Sequence, residues 1–435
     1  MGDMTRTLST RGVLVPPSLP NRLRLGTAIL AGNVAAFGSR LAGKGSGASV
    51  RGQILTRLAP SAFADLLRGR RVLAVSGTNG KTTTTHLLAA AVRTGLGTDA
   101  ARLVTNADGA NLGYGIASAL SQARKADIAV LETDERVVSA MIEHARPEIL
   151  VLLNFSRDQL DRHHEIKALG RSWRLALEAA DADGPTIIAN ACDPLVTWSA
   201  ETASKVIWVE TDTVWHADGA LCPACGSLLV RVPAEGRDRW DCPGCELTQP
   251  SADYRVADKT IILPSGEAVQ PDLQVPGSFN VSNAACALAA AIEFGVGLDD
   301  ALAGMHTVTS PAGRFATTSF GSTTARLLLA KNPAGWAEAL PLATSDPVIL
   351  AIDAVAADGK DVSWLWDVDY EQLAGRHVIC TGPRAQDLAV RLSYAEVEHE
   401  IEPDLRAALG ERDAAVDVIA TYTPFQALLK MAGLR

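Results

Sequence analysis

Val72-Leu-Ala-Val-Ser-Gly-Thr-Asn-Gly-Lys-Thr-Thr-Thr-Thr-His-Leu-Leu88 decides the fold. A short apolar run leads into a glycine turn, and a helical pattern follows, opened by lysine and threonines. Strand, glycine loop and helix in that order are the context a phosphate loop requires. Gly77 and Gly80 let backbone N–H groups approach phosphate oxygens, and the helix start near Lys81 adds its partial positive charge. In this reading Gly77, Thr78, Asn79, Gly80, Lys81, Thr82 and Thr83 bind ATP. Lys81 reaches the β- and γ-phosphates, and the Thr82 hydroxyl ligates Mg²⁺. The full phosphate-loop pattern wants a glycine where Val75 stands, so this is a shortened variant. The bland alternative, a glycine turn with a chance Lys-Thr pair, is opposed by the agreement of strand, loop and helix.

Outward from this loop the chain alternates short apolar runs with helical patterns. Arg71–Ser76 reads as a strand and Lys81–Arg93 as the helix after it. Asp127–Leu131 and Ile149–Leu153 are further buried strands, and Thr186–Ala189 and Val206–Val209 look similar. Such alternation implies an α/β fold with a mostly parallel sheet covered on both faces. Residues from about 215 to 250 interrupt it as an insertion. The pattern resumes with a helix over Asn280–Phe294, and Ser310-Pro-Ala-Gly313 marks a boundary. A second α/β unit follows, with strands near Arg326–Ala330, Val348–Asp353, His377–Cys380 and Val416–Ala420. Glu132, just after its strand, stands where a sheet presents residues at its carboxyl edge, and a carboxylate there can hold Mg²⁺. A solvated loop acid is the competing reading, as for Asp134 and Glu135.

The chain has 435 residues, 47% of them hydrophobic, and a net charge of −9, which gives no global electrostatic footprint for nucleic acid. The apolar stretch Leu25–Gly38, preceded by Arg11, Arg22 and Arg24, mimics a secretory segment. Asn33 interrupts it, Arg40 ends it, and it is too short to span a bilayer. A helix packed on the first domain is the better reading, behind about twenty disordered residues broken by Pro16, Pro17 and Pro20.

Seven cysteines are too few for a disulfide scaffold in a chain of this length. Cys222-Pro-Ala-Cys225 and Cys242-Pro-Gly-Cys245 stand sixteen residues apart, a spacing that signals Zn²⁺. Four thiolates close the site, so its role is structural. Gly226 and Gly244 permit the tight turns. Arg231, Arg237 and Arg239 are offset by Glu235, Asp238 and Asp241, which disfavours a nucleic-acid ribbon. Cys192, Cys286 and Cys380 lack a nucleophile elbow and read as buried structural thiols.

Gly77–Thr85, Glu132, Asn154-Phe-Ser-Arg-Asp-Gln-Leu-Asp161, Phe279-Asn-Val-Ser-Asn283 and Pro311-Ala-Gly-Arg314 recur in this order in the Mur ligases. The chain resembles that family from about residue 50 to its end. Four finer features resemble its MurT branch, the synthetase subunits of lipid II isoglutaminyl synthase. These are Arg157–Arg162, the four-cysteine insertion, Ala330-Lys-Asn-Pro-Ala-Gly335, and the segment Ala357–Asp367. Departures from ordinary Mur ligases point the same way. About seventy residues precede the loop, too few for a complete substrate domain. Gln159 replaces the usual His. Arg174 stands where many members carry a carbamoylated Lys, and Phe315-Ala316 follows Arg314 where a Glu is usual.

The resemblance implies three segments: 1–45, a disordered segment and helix; 46–312, a Mur ligase middle domain with a zinc ribbon at about 215–250; and 313–435, a Rossmann-like, partner-binding α/β domain. It implies ATP-dependent amidation of the α-carboxylate of D-glutamate in lipid II, through an acyl-phosphate. Ammonia would come from a GatD-like glutaminase, because this chain shows no nucleophile of its own. Asn280 and Asn283 would meet the adenine, unless they merely cap their helix. Arg314 would join the nucleotide site. Lys331 and Asn332 would close over the γ-phosphate, a surface lysine being the competing reading. Asp358 would complete the partner's Cys-His pair, with turn chemistry and Asp361 as competitors. Trp364 and Trp366, at alternating spacing, are interface anchors or strand packing. Thr105–Asn111 is a substrate-loop candidate. The implied location is the cytoplasm, at the inner membrane face. The alternatives are a Mur- or folylpolyglutamate-type amino-acid ligase, and a nucleotide-binding regulatory or nucleic-acid protein.

Overall fold

The computed structural model describes residues 19–41, 47–106, 110–157, 166–212, 217–233, 237–309, 314–355, 358–410 and 414–434. Gln159, Asp161 and Arg162 of the Asn154 motif, the boundary at 310–313, and the N-terminal segment with Pro16 and Pro17 lie outside them.

Three helices come first: α1 (Leu19–Leu41), α2 (Ala48–Leu58) and α3 (Ala62–Leu67). The alternation then runs β1 (Arg71–Ser76), α4 (Lys81–Leu96), β2 (Leu103–Thr105), α5 (Gly113–Gln122), β3 (Ile128–Glu132), α6 (Val138–Ala145) and β4 (Ile149–Leu152). It continues with α7 (Ile166–Ala180), β5 (Thr186–Asn190), α8 (Pro194–Ala200) and β6 (Val206–Glu210). A small hairpin, β7 (Val230–Val232) and β8 (Arg239–Asp241), stands apart from the main sheet. Strands β9 (Tyr254–Ala257), β10 (Thr260–Ile262) and β11 (Ala268–Val269) return to it, and helices α9 (Phe279–Phe294) and α10 (Leu298–His306) follow.

The first sheet runs β11-β10-β9-β6-β5-β4-β1-β3-β2. It is parallel from β2 to β9 and antiparallel at the β9–β10–β11 edge, which the sequence reading had not resolved. The period of two sorts each strand between two cores. Leu73, Val75, Val130 and Val151 pack in one core with residues of α4, α9 and α10. Ala74, Leu131 and Leu152 pack in the other with residues of α2, α5, α6 and α7. Helix α9 is apolar nearly all round and buried nearly all round, from Ala284 to Ala291.

The second sheet is built from β12 (Phe315–Phe320), β13 (Thr323–Leu329), α11 (Pro333–Ala339), β14 (Val348–Ala351), β15 (Val378–Thr381) and α12 (Ala385–Tyr394). It is completed by β16 (His399–Ile401), α13 (Leu405–Leu409), β17 (Ala415–Ala420) and α14 (Tyr422–Met431). Its order is β12-β13-β17-β14-β15-β16, parallel except for β12.

Trp364 and Trp366 are not on a strand. Asp361 Oδ1 accepts from the Ser363 amide at 2.8 Å, and residues Ser363–Asp367 turn as a 3₁₀ helix. Trp364 is buried 6.0 Å from Trp336, whereas Trp366 is 55% exposed and meets Tyr394 edge-on at 5.2 Å.

Candidate active site

The glycine loop leaves the carboxyl end of β1, which lies between β3 and β4. The chain crosses to the far side of β1 after β3, so the loop sits at a topological switch point, where open α/β sheets bind ligands. Gly77 has φ 136° and Gly80 has φ 84°, backbone that side chains rarely tolerate. A Cβ on Gly80 would also lie 2.3 Å from Asn283 Oδ1.

Asn154 and Ser156, quoted in sequence without a role, pin this loop from β4. The Asn79 amide donates to Asn154 Oδ1 at 2.9 Å, and Asn154 Nδ2 donates to Asn79 O at 3.1 Å. The Ser156 amide donates to Thr78 Oγ1 at 3.1 Å, and Asn79 Nδ2 to Ser156 Oγ at 2.9 Å.

Lys81 is buried, and its Nζ pairs with Glu135 Oε2 at 3.1 Å. Glu135 is therefore not the solvated acid expected. Its side chain is 14% exposed, as is that of Asp134, which pairs with Arg136. No feature of the sequence tied Glu135 to Lys81, because their contact spans two strands.

Glu132 is the last residue of β3 and is buried. Thr82 Oγ1 donates to its Oε2 at 2.9 Å, and Asn111 Nδ2 donates to its Oε1 at 3.0 Å. Asn106 bonds the Glu132 backbone at both N–H and C=O, each at 2.8 Å. Thus, of the substrate-loop candidates, Asn106 fixes the Glu132 backbone and Asn111 its carboxylate; 107–109 lie outside the described residues. A buried carboxylate beside a threonine hydroxyl is a hard-oxygen set of the kind Mg²⁺ takes.

The second sheet reaches over the loop. Arg314 Nη2 donates to Thr82 Oγ1 at 2.9 Å. Asn332 Nδ2 donates to Asn79 Oδ1 at 3.2 Å, while its own Oδ1 caps α11 through the Gly335 amide at 2.9 Å. Between the two sheets lies a cavity of about 210 Å³, lined by Asn79, Gly80, Thr82, Thr83, Asn280, Asn283 and Arg314, with Cys192, Asp193 and Cys286. Asn280 does not cap α9: Ser278 holds the cap position, and Asn280 Nδ2 donates to Pro276 O at 2.5 Å. Asn283 Nδ2 donates to Asn280 Oδ1 at 3.0 Å.

The three lone thiols are held protonated by burial, which pushes Cys192 up to about 11 and Cys286 and Cys380 up to about 12. Cys192 is half-buried and lines the cavity, its Sγ donating to Thr211 O at 3.4 Å. Asp193, missed in sequence, is pushed up to about 6 by burial, although the amides of Phe155, Val196 and Leu195 donate to it.

Arg174 is committed elsewhere. Its guanidinium donates to Trp198 O, pairs with Glu201 at 2.6 Å and lies 5.1 Å over the Trp198 ring. Arg157 pairs with Asp218 and also with Asp367 at 3.4 Å, joining the first sheet to the second.

A small cleft is lined by Arg157, Lys331, Asn332, Asp358, Asp361 and Asp367. Asp358 is buried; its Oδ1 accepts from the Thr423 amide at 2.7 Å, and its buried Oδ2 has no partner among the described residues. Asp361 is exposed and spent on its turn, where the bond from Ser363 holds its carboxyl below the usual range.

The four paired cysteines converge, with Cys222 Sγ 3.6 Å from Cys245 Sγ and Cys225 Sγ 3.4 Å from Cys242 Sγ. A disulfide would need about 2 Å, whereas four thiolates around Zn²⁺ at about 2.3 Å stand about 3.8 Å apart. All four sulfurs lie within 4.8 Å of one another, so the set fits zinc. Gly226 takes φ 82°, and a Cβ on Gly244 would lie 2.2 Å from Ser227 Oγ. Behind them Trp240 is fully buried, its indole N–H donating to Ala191 O at 3.0 Å.

A model of the Mur ligase middle domain matches residues 75–220, and one of the MurT ligase C-terminal domain matches residues 329–425. The chain is 29% identical to the lipid II isoglutaminyl synthase (glutamine-hydrolyzing) subunit MurT of Staphylococcus aureus strain COL, over 86% of this chain and 89% of that one. It is 27% identical to the corresponding subunit of Streptococcus pneumoniae, over 87% and 91%. Among solved structures, its fold is similar to a pseudomurein peptide ligase type C from Methanothermus fervidus, with a TM-score of 0.64 at 17% identity over 88% of this chain and 83% of that one. A Mur ligase middle domain match followed by a MurT C-terminal match gives this chain a domain order similar to that of the MurT branch of the Mur ligases.

Proposed function

We propose that this chain is the synthetase subunit that amidates the α-carboxylate of D-glutamate in the lipid II stem peptide, using ATP and ammonia released by a GatD-like glutaminase. One observation carries the reading. Arg314 and Asn332 from the second sheet bond Thr82 and Asn79 of the phosphate loop, so a single cleft can bring a nucleotide and a substrate carboxylate together.

The carboxylate oxygen attacks the γ-phosphorus, the bond to the β-phosphate oxygen breaks, and ADP leaves. Ammonia's lone pair then attacks the acyl carbon, the C–O bond breaks toward phosphate, and the nitrogen loses a proton. Lys81 holds the phosphates and offsets charge that builds as the γ-phosphoryl group moves. Thr82 and Glu132 would hold Mg²⁺, which would neutralise the β- and γ-oxygens when bound. Asn280 and Asn283 would orient the adenine, and Lys331 would approach the acyl-phosphate. The four cysteines would hold a structural zinc away from the chemistry.

Free ammonia is mostly protonated at neutral pH, and the three lone thiols, Cys192, Cys286 and Cys380, are raised, not activated. A partner is therefore the nitrogen source. Asp358, with a buried oxygen that lacks a donor, is the residue we assign to orient the partner's histidine. Trp366 and Tyr394, exposed and meeting edge-on, would be anchors at that interface.

The test is ATP-dependent amidation of lipid II with glutamine, with and without a co-expressed glutaminase. Amidated product that requires the partner is the expected result. ADP release driven by a free amino acid, with no amidation when the partner is present, would favour an ordinary amino-acid ligase instead.

A further inference from the structure

Helix α1 carries two apolar faces. Ala28, Ile29 and Ala36 are buried, on the face that packs against α2. Leu23, Leu30, Val34, Phe37 and Leu41 are 58% to 75% exposed. With 3.6 residues per turn, these five fall within an arc of about 60° opposite the buried face. One exposed leucine needs no explanation, but a continuous stripe of five does.

Charge marks out what covers it. Arg22 and Arg40 project at one margin of the stripe and Arg24 at the other, each about 100° from its centre. Arg24 also donates to Leu58 O at 2.6 Å, which fixes that margin in place. No Asp or Glu occurs in the helix. From Met1 to Leu41 the chain has five arginines and one acid, Asp3, although its total charge is −9. A second copy fits poorly: a two-fold axis on the stripe would set arginines against arginines in either direction.

We propose that α1 lies in the plane of an anionic lipid bilayer surface, its Leu-Val-Phe stripe at the headgroup–acyl boundary and its arginines among the phosphates. None of the described helices is long and apolar enough to cross a membrane, so α1 rests on the surface. The inference is independent of the amidation reading. If both hold, the cleft meets its lipid-linked substrate without a search through bulk solvent.

The test is co-sedimentation of the full chain with phosphatidylglycerol–phosphatidylcholine vesicles and with pure phosphatidylcholine vesicles. The full chain should sediment with the anionic vesicles, and less so as salt rises. Leu30→Glu with Phe37→Glu should weaken partitioning at least about tenfold. Arg22→Gln with Arg40→Gln should cost about fivefold per arginine and flatten the salt dependence. Both variants change exposed side chains, so their melting temperatures should match that of the unaltered chain. Failure of the unaltered chain to bind anionic vesicles, or binding indifferent to both variants, overturns the proposal. So does a dimer, or a complex with the glutaminase, that dissociates in Leu30→Glu with Phe37→Glu, because the stripe would then belong to a protein partner. Amidation of a soluble substrate analogue should be unaffected by either variant, which keeps this outcome separate from that of the amidation assay.

Discussion

The cleft over the phosphate loop and the cleft beside Asp358 meet at Asn332 and differ in how their polar groups are satisfied. Over the loop, the chain supplies partners for both charged groups and for the turn: Glu135 for Lys81, Thr82 and Asn111 for Glu132, Asn154 and Ser156 for the turn. Beside Asp358, one buried carboxylate oxygen has no donor among the described residues. Leaving a buried acceptor unmade costs about 1–3 kcal/mol. The charged groups of the first cleft are paired within this chain, whereas the second gains its missing bond from whatever brings a donor to Asp358.

The sharpest break in that comparison is Lys81→Ala. It should lower glutamine-dependent amidation at least about a thousandfold, because the charge on the moving phosphoryl group loses its fixed counter-charge. It should also strand Glu135, so calorimetry should show a loss of about 1–3 kcal/mol. Undiminished turnover would mean that the loop does not hold the phosphates.

Asp358→Asn separates the two clefts. Glutamine-driven amidation should fall about a hundredfold or more, while amidation driven by added ammonium stays within about twofold, since the loop cleft is untouched. Equal loss with both nitrogen sources would place Asp358 in the synthetase chemistry and dissolve the distinction.

Cys222→Ser probes the ribbon that supports the first cleft. Bound zinc, measured by release to a chelator, should drop to background, and the melting temperature should fall, since zinc binding free energy is folding free energy. Trp240 ties the ribbon to Ala191, next to Cys192 and Asp193 of the cavity. The KM for ATP should therefore rise severalfold with kcat little changed.

Much of this was legible in the sequence because it is local. The glycine loop, the strand-end Glu132 and the paired cysteines each declare their place in the fold within a few residues. Glu135 and Asn111 were read as a solvated acid and a substrate-loop residue because their contacts depend on which strands are neighbours, and sheet order is not written locally. Trp364 and Trp366 misled for the opposite reason: alternate spacing suggests a strand, but Asp361 captures the Ser363 amide and winds the segment into a 3₁₀ turn. The antiparallel edge from β9 to β11 was hidden by its short, mixed strands. The exposed stripe of α1 looked like packing, because apolar residues on both faces of a helix read as simple burial.

The smallest effect compares two buried carboxylates, one from each sheet region. Asp193 is pushed up to about 6 by burial. Burial works on Asp417 too, but Arg326 at 2.6 Å and the amides of Ser345 and Thr344 outweigh it and hold that carboxyl below the usual range. The signs are opposite. A raised carboxyl binds its proton more tightly in the folded chain, so the Asp193 contribution is full below about pH 4 and lost as pH rises through about 6. A depressed carboxyl stabilises when ionised, so the Asp417 contribution is present above about pH 4 and lost as pH falls below it. Urea unfolding against pH should therefore show Asp193→Asn flattening the decline between about pH 4 and 6, by on the order of 2 kcal/mol. Asp417→Asn should be less stable at neutral pH and should flatten the acid-side fall. A decline between pH 4 and 6 that persists in Asp193→Asn would mean that the three amide donors keep this carboxylate ionised, and that the two regions treat buried acids alike.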